Sequence, residues 1–170
     1  MNPRNLIVGH DNGNSGGTCV LREDGSILSY FANPTTDARG VNEVDVVALC
    51  ERIESFTPNH VSFAVEEPLK RLISSTPSMW NNYGGVRSMI MLQPHWDFIA
   101  VGVSEWQRKM LGRVPRGMTK KAALAKARKC WPEEKWLANE RCRTPHDGIV
   151  DAVLIAQYTC DRLKNTNPEG

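Results

Sequence analysis

Four carboxylates in this chain stand where a metal site would need them. Asp11 closes the apolar run Leu6-Ile-Val-Gly-His10 and opens Asn12-Gly-Asn-Ser-Gly-Gly17, where the backbone can turn tightly and approach a ligand closely. Glu66 follows the apolar run Val61-Ser-Phe-Ala-Val65, with Glu67 and Pro68 immediately after it. Asp147 and Asp151 are four positions apart at the start of a mostly apolar stretch. On a helix that spacing puts both on one face, with Cβ atoms about 5 to 6 Å apart. Acids gathered this way repel one another unless cations neutralise them. Hard oxygen donors without a Cys or His cluster suit Mg²⁺ or Mn²⁺ rather than zinc. Two such ions about 3.5 to 4 Å apart can activate a water and stabilise the departing oxygen of a phosphodiester.

Each acid also has a plainer explanation. Asp11 before Asn-Gly could simply open a turn, and Glu66 could be an exposed acid at a strand end. Thr144-Pro-His-Asp147 reads as a capping box, with Thr at the N-cap, Pro at N1 and the acid at N3. Asp151 is harder to explain away, because it lies one turn into Ile149, Val150, Ala152, Val153, Leu154, Ile155 and Ala156, where an acid wants a partner. Adjacent strand residues face opposite ways, so only one of Glu66 and Glu67 can join the other acids; Glu66 is favoured. His146 could assist the water or the leaving group near neutral pH, or be an ordinary surface residue at a helix start.

The elements that must position these groups follow from pattern. Leu6 to Asp11 reads as a strand, and Thr18–Leu21 with Ile27–Phe31 as a hairpin around Arg22-Glu-Asp-Gly25. Asn42 to Phe56 reads as a helix, Val61–Val65 as a fourth strand and Ser74 to Pro94 as a helix weakened by Gly84-Gly85. Phe98–Val103 reads as a fifth strand, Thr119 to Trp131 as a basic helix and Asp147 to Leu163 as a closing helix, with loops at Gly112–Gly117 and Lys135–Thr144. A meander followed by alternating helices and strands is a mixed-sheet α/β order. No linker or repeat divides the chain, and one domain over residues 1–170 is expected.

With 170 residues and 41% hydrophobic side chains, the composition fits a globular domain with a full core and excludes disorder, collagen and coiled coil. No apolar run reaches the roughly 18 to 20 residues that span a bilayer, and the start lacks a secretory h-region, so a cytoplasmic protein without a membrane partner is expected. The five cysteines are scattered, none closer than twelve positions to the next, which excludes CxxC metal spacing and a disulfide framework.

A net charge of +2 conceals a division between a net −5 over residues 1–70 and +7 over the remainder. Nine Lys and Arg lie between Arg108 and Lys129 with no acid from Glu105 to Glu133. Such a stretch is either a solvated face or a track for a polyanion. An acidic centre with a basic periphery points to a nuclease.

Asp11 at a strand end before a Gly-rich turn and a hairpin, Val65-Glu66 at a later strand end, and His146-Asp-Gly-Ile-Val-Asp-Ala152 running into Val-Leu-Ile-Ala156 together resemble RuvC-type Holliday junction resolvases of the ribonuclease H-like superfamily. The resemblance implies a five-stranded mixed sheet flanked by helices. It also implies a homodimer that binds four-way DNA and resolves it by paired symmetric nicks, as a crossover junction endodeoxyribonuclease. Two Mg²⁺ ions, replaceable by Mn²⁺, would be held by Asp11, Glu66, Asp147 and Asp151. The segment from Trp106 through Lys121 resembles the family's phosphate-contacting stretch, which would assign DNA contacts to Lys109, Lys120 and Lys121, with Arg113 and Arg116 beside them.

Three departures qualify the resemblance. Bacterial members have Asp-Pro-Gly at the first turn and a spacing of three positions between the last two acids, so the spacing of four here is similar to the phage and organellar branch, which extends the expected location from bacterial or phage-infected cytoplasm to an organelle. They also carry an aromatic wedge soon after the strand-end Glu, where this chain has Leu69; Trp80 or Met79 would have to open the junction instead. Two other readings share much of this evidence: a nuclease for RNA:DNA hybrids, which needs the same acids, and a catalytically silent junction-binding protein, which needs only the basic stretch.

Overall fold

A computed structural model describes residues 5–38, 40–69 and 76–166. Its central sheet has the order β3-β2-β1-β6-β7, built from β1 (Asn5–His10), β2 (Gly17–Arg22), β3 (Ile27–Ala32), β6 (His60–Glu67) and β7 (Trp96–Gly102). β1, β2 and β3 form the antiparallel meander, while β6 joins β1 in parallel and β7 joins β6 in parallel. A parallel partner needs a crossover. Helices α1 (Val46–Glu54) and α2 (Thr76–Met91) lie in the two crossovers, and α3 (Val103–Leu111), α4 (Thr119–Cys130) and α5 (Asp147–Thr166) follow the last strand.

The period-2 alternation of β1 and β6 distributes two cores across the sheet. Leu6, Val8, Phe63 and Val65 face one layer with Leu49, Ile53, Val86 and Ile90 of α1 and α2. Ile7 and Ala64 face the other, with Trp106, Ala127 and the apolar length of α5. This is the five-stranded mixed sheet flanked by helices that the resemblance implied, with helices on both faces.

Three elements differ from the expectation. The helix expected from Asn42 begins only at Val46, because Asp45 caps it by accepting from the Ala48 amide at 3.0 Å. The residues before that cap form β5 (Val41–Val44), which pairs with β4 (Thr35–Ala38) as a separate hairpin outside the main sheet. Helix α2 runs through Gly84-Gly85 because Tyr83, Val86, Met89 and Ile90 give it a buried stripe; residues 74 and 75 of the expected helix lie outside the described residues. Helix α3 was not expected, since its charged face hides an apolar anchor, Trp106, which is fully buried.

Candidate active site

Asp11 leaves the carboxyl end of β1 on the α5 face, since β1 directs Ile7, Gly9 and Asp11 to the same side. The Asp11 amide donates to the Gly17 carbonyl at 3.0 Å, and the Gly13 and Gly16 amides donate back within the loop. Beneath it lies a buried polar chain. Thr18 Oγ1 donates to Asn33 Oδ1 at 2.8 Å and so accepts from His10 Nδ1 at 2.9 Å, and Asn33 Nδ2 donates to the Asp11 and Gly13 carbonyls at 2.8 and 2.9 Å. Burial of the His10 ring lowers its pKa to about 3, so it is a neutral strut.

Glu66 leaves the parallel neighbour, β6, on the same face and accepts from Trp106 Nε1 at 2.7 Å. Glu67 faces the α2 side, where its charge acts on Tyr83.

Asp147 and Asp151 come from the first turns of α5. The helix begins at Asp147 rather than at the Thr144 capping box: His146 occupies the cap, its carbonyl and Nδ1 accepting from the Ile149 amide. The preceding loop is pinned by Trp136, which is fully buried between Tyr30 and Trp131, and its carbonyl accepts from the His146 amide at 2.7 Å. The helix then presses directly on the sheet. Gly9 lies against the Ala152 carbonyl so closely that any Cβ would collide, and a Cβ on Gly148 would stand 2.6 Å from Gly16, with which it forms a β-bridge. Only glycine allows this approach.

The electrostatics follow from that packing. Desolvation first, then the charges of Glu66 and Asp151, hold the Asp11 carboxyl well above the usual carboxylate range. Desolvation, then Glu66 and Asp147, push Asp151 up to about 7, and desolvation also raises Glu66 against the Trp106 hydrogen bond. Lys120 at the start of α4 answers this charge. Its Nζ lies 2.6 Å from Asp147 Oδ2, and its pKa is raised by that hydrogen bond and charge and by Asp151 and Asp11 beyond. The acids therefore form one interacting cluster with Lys120 above it.

As the side chains lie, no three His, Cys, Asp or Glu among the described residues enclose an ion position. Asp147 is turned to Lys120 and Glu66 to Trp106. The donor set itself fits a hard divalent cation: oxygen only, clustered, and costly to ionise without a counter-charge.

The other residues singled out by sequence are dispersed. Lys121, Arg113 and Arg116 are exposed on and before α4. Lys109 lines a cavity of about 460 Å³ with Glu105, Arg108, Tyr158 and Arg162, along α5 some two turns beyond Asp151. Leu69 and Trp80 are 48% and 39% exposed, Trp80 resting edge-on against Tyr83, and Met79 is half-buried. Sequence reasoning missed Trp106 and the asparagines of the first loop. A tryptophan in a charged segment was the available signal for the first, and the closely spaced pairs Asn12 with Asn14 and Asn81 with Asn82 for the second.

Comparison with solved structures decides the architecture. Thermus thermophilus RuvC in complex with Holliday junction substrate superposes with a TM-score of 0.64 at 17% identity, covering 95% of this chain and 96% of that one. This chain has the RuvC fold. A further Thermus thermophilus RuvC structure matches with a TM-score of 0.58 at 17% identity, over 95% of this chain and 97% of that one. Nothing in the RuvC comparisons favours the phage or organellar branch. No protein-family model and no curated protein sequence matches the chain.

Proposed function

We propose that this chain is a divalent-metal-dependent endodeoxyribonuclease that resolves Holliday junctions. The observation that carries the reading is the acid cluster: Asp11, Glu66, Asp147 and Asp151 converge from β1, β6 and α5 at the carboxyl edge of a sheet with the RuvC fold, with Asp11 and Asp151 raised by the charges of their neighbours. The solved RuvC bound to Holliday junction substrate supports branched DNA as the ligand class.

In this reading Asp11, Glu66, Asp147 and Asp151 would hold the metal, two Mg²⁺ ions with Mn²⁺ as substitute, which would supply activation of water and charge stabilisation at the phosphodiester. The chain's own contributions are positional. Trp106 fixes the Glu66 carboxylate, the Gly9 and Gly148 contacts fix Asp151, and Lys120, paired with Asp147, would be free to meet a phosphate wherever Asp147 turned to an ion. Lys121, Arg113 and Arg116 extend the positive surface along the incoming backbone, and Lys109 acts only on an arm that wraps toward the far part of α5. His146 spends Nδ1 on the helix cap, leaving Nε2 as its only atom for proton transfer. Paired nicks require two such sites, hence a homodimer of a single-domain chain. Leu69 and Trp80 are exposed apolar side chains that could part the junction centre. No helix among the described residues is long and apolar enough to cross a membrane.

The test is cleavage of a mobile four-way junction beside a linear duplex and an RNA:DNA hybrid. Mg²⁺-dependent, symmetric nicking of the junction, lost in Asp151→Asn with binding retained in Ca²⁺, is expected. Preferred cutting of the hybrid would move the chain to the alternative nuclease class, and binding without cutting in any metal would leave only a junction-binding protein.

A further inference from the structure

Five asparagine contacts surround the Asp11 loop on the side away from α5. Asn82 of α2 is 4% exposed; its Oδ1 accepts from the Val44 amide at 3.1 Å and its Nδ2 donates to Asn14 Oδ1 at 2.6 Å. Asn14 Nδ2 in turn donates to the Asn42 carbonyl at 2.6 Å. Next to Asp11, fully buried Asn12 donates from Nδ2 to the Met79 carbonyl of α2 at 2.9 Å. Asn81 completes the set by donating to Glu43 Oε2 at 2.8 Å.

The ladder has a direction. A backbone amide, Val44 N–H, fixes the Asn82 oxygen, and a backbone carbonyl, that of Asn42, fixes the Asn14 nitrogen. The amide between them therefore has one permitted orientation, and neither side chain can flip without facing like against like. Buried amide networks of this sort are costly when half-satisfied, so they specify geometry more than they add stability. They also tie together the Asp11 loop, the β4–β5 hairpin outside the main sheet, and the first turns of α2.

We propose that Asn14 and Asn82, with Asn12, are positioning residues for Asp11: they clamp its loop to α2 and β5 and so set where the carboxylate meets Glu66 and Asp151. The inference rests on the nuclease reading for what Asp11 holds, but the clamp itself is a property of the protein without metal or DNA. Because Trp80 lies between Met79 and Asn82, the two clamped residues of one turn of α2, any ligand that shifts α2 there also shifts Asp11.

Three measurements on Asn82→Ala and Asn14→Ala decide it, with Ile53→Val as a core-truncation control remote from the acids. In metal-free protein, hydrogen exchange at the Gly13 and Gly16 amides should quicken by about ten-fold, while amides of β1 and α5 keep wild-type protection. Mn²⁺ titrated into DNA-free protein should bind about ten-fold more weakly, because a ligand displaced by even an ångström is costly. On a four-way junction kcat should fall by about ten-fold with KM nearly unchanged, excess Mn²⁺ should recover part of it, and the double variant should be no worse than either single one. Ile53→Val should show none of these. Asn14→Ala, at the more exposed rung, keeps the test available if Asn82→Ala folds poorly. Wild-type exchange at Gly13 and Gly16 together with unchanged Mn²⁺ affinity would overturn the proposal. Wild-type protein that neither binds Mn²⁺ nor cuts junctions would instead overturn the nuclease reading, and the exchange comparison would still decide whether the clamp exists.

Discussion

The two sides of the acid cluster are held by different means. On the α5 side, backbone meets backbone: Gly9 against the Ala152 carbonyl and Gly16 against Gly148, with no side chain between. On the α2 side, the Asp11 loop hangs on side-chain amides. A backbone contact cannot relax without moving a helix, whereas an amide can be replaced and the loop will adjust. Asp151 is therefore placed by the fold itself and Asp11 by a removable clamp, and damage to the two sides should differ in kind.

The largest effect is expected from Gly9→Ala. The added methyl meets the backbone of Ala152 and Ala156, so α5 must be displaced over much of its length, at a cost of about 3 kcal/mol or more. Chemical denaturation should show a loss of global stability, where the asparagine variants show a local one. A midpoint within a few tenths of a kcal/mol of wild type would mean that the glycine contact is not what seats the helix.

Trp106→Phe sharpens the comparison on a smaller scale. It keeps a ring in the core but removes the donor to Glu66, whose carboxyl then rises further. Cleavage should drop by about ten-fold at neutral pH and recover as pH is raised, since the acid must be ionised to hold metal. A pH–rate profile superimposable on wild type would remove Trp106 from the site.

The smallest effect belongs to the basic rim. Replacing Lys120 and Lys121 together by Ala should weaken junction binding in Ca²⁺ and flatten its log–log salt slope by about one to two units, alike across junction sequences. Stability should barely change, because the Lys120–Asp147 pair is solvent-exposed on both sides and such pairs contribute about 0 to 1 kcal/mol. An unchanged slope would make these lysines a solvated face.

Much of this was legible in the sequence because it is written in short-range pattern. Leu6 to Asp11 and Val61 to Glu66 declare strands ending in acids, and the i, i+4 pair Asp147 and Asp151 declares a helix face. What was not legible depends on long-range contact. Nothing local marks Val41–Val44 as a strand once its partner Thr35–Ala38 is unknown, and the helical reading ran through it until Asp45, as a cap, stopped it. Trp106 and Lys120 look like members of one basic segment; only the folded chain sends one to Glu66 and the other to Asp147. The asparagine ladder joins residues 67 and 68 positions apart, beyond any window of periodicity.

The central claim is that these acids exist to hold a divalent cation, and it is tested most directly by melting wild type and Asp151→Asn across pH 5 to 9, with and without Mg²⁺. With its folded pKa near 7 against an ordinary 3.8, Asp151 favours the metal-free fold most below about pH 4 and loses that advantage as pH rises from there to 7, by up to about 4 kcal/mol. Without metal, Asp151→Asn should therefore melt higher than wild type above pH 7 and converge with it under acid conditions. With Mg²⁺ the order should invert, wild type gaining stability as its ionised acids are neutralised while the variant gains little. A variant no more stable than wild type in chelator at pH 8, and equally responsive to Mg²⁺, would contradict the claim.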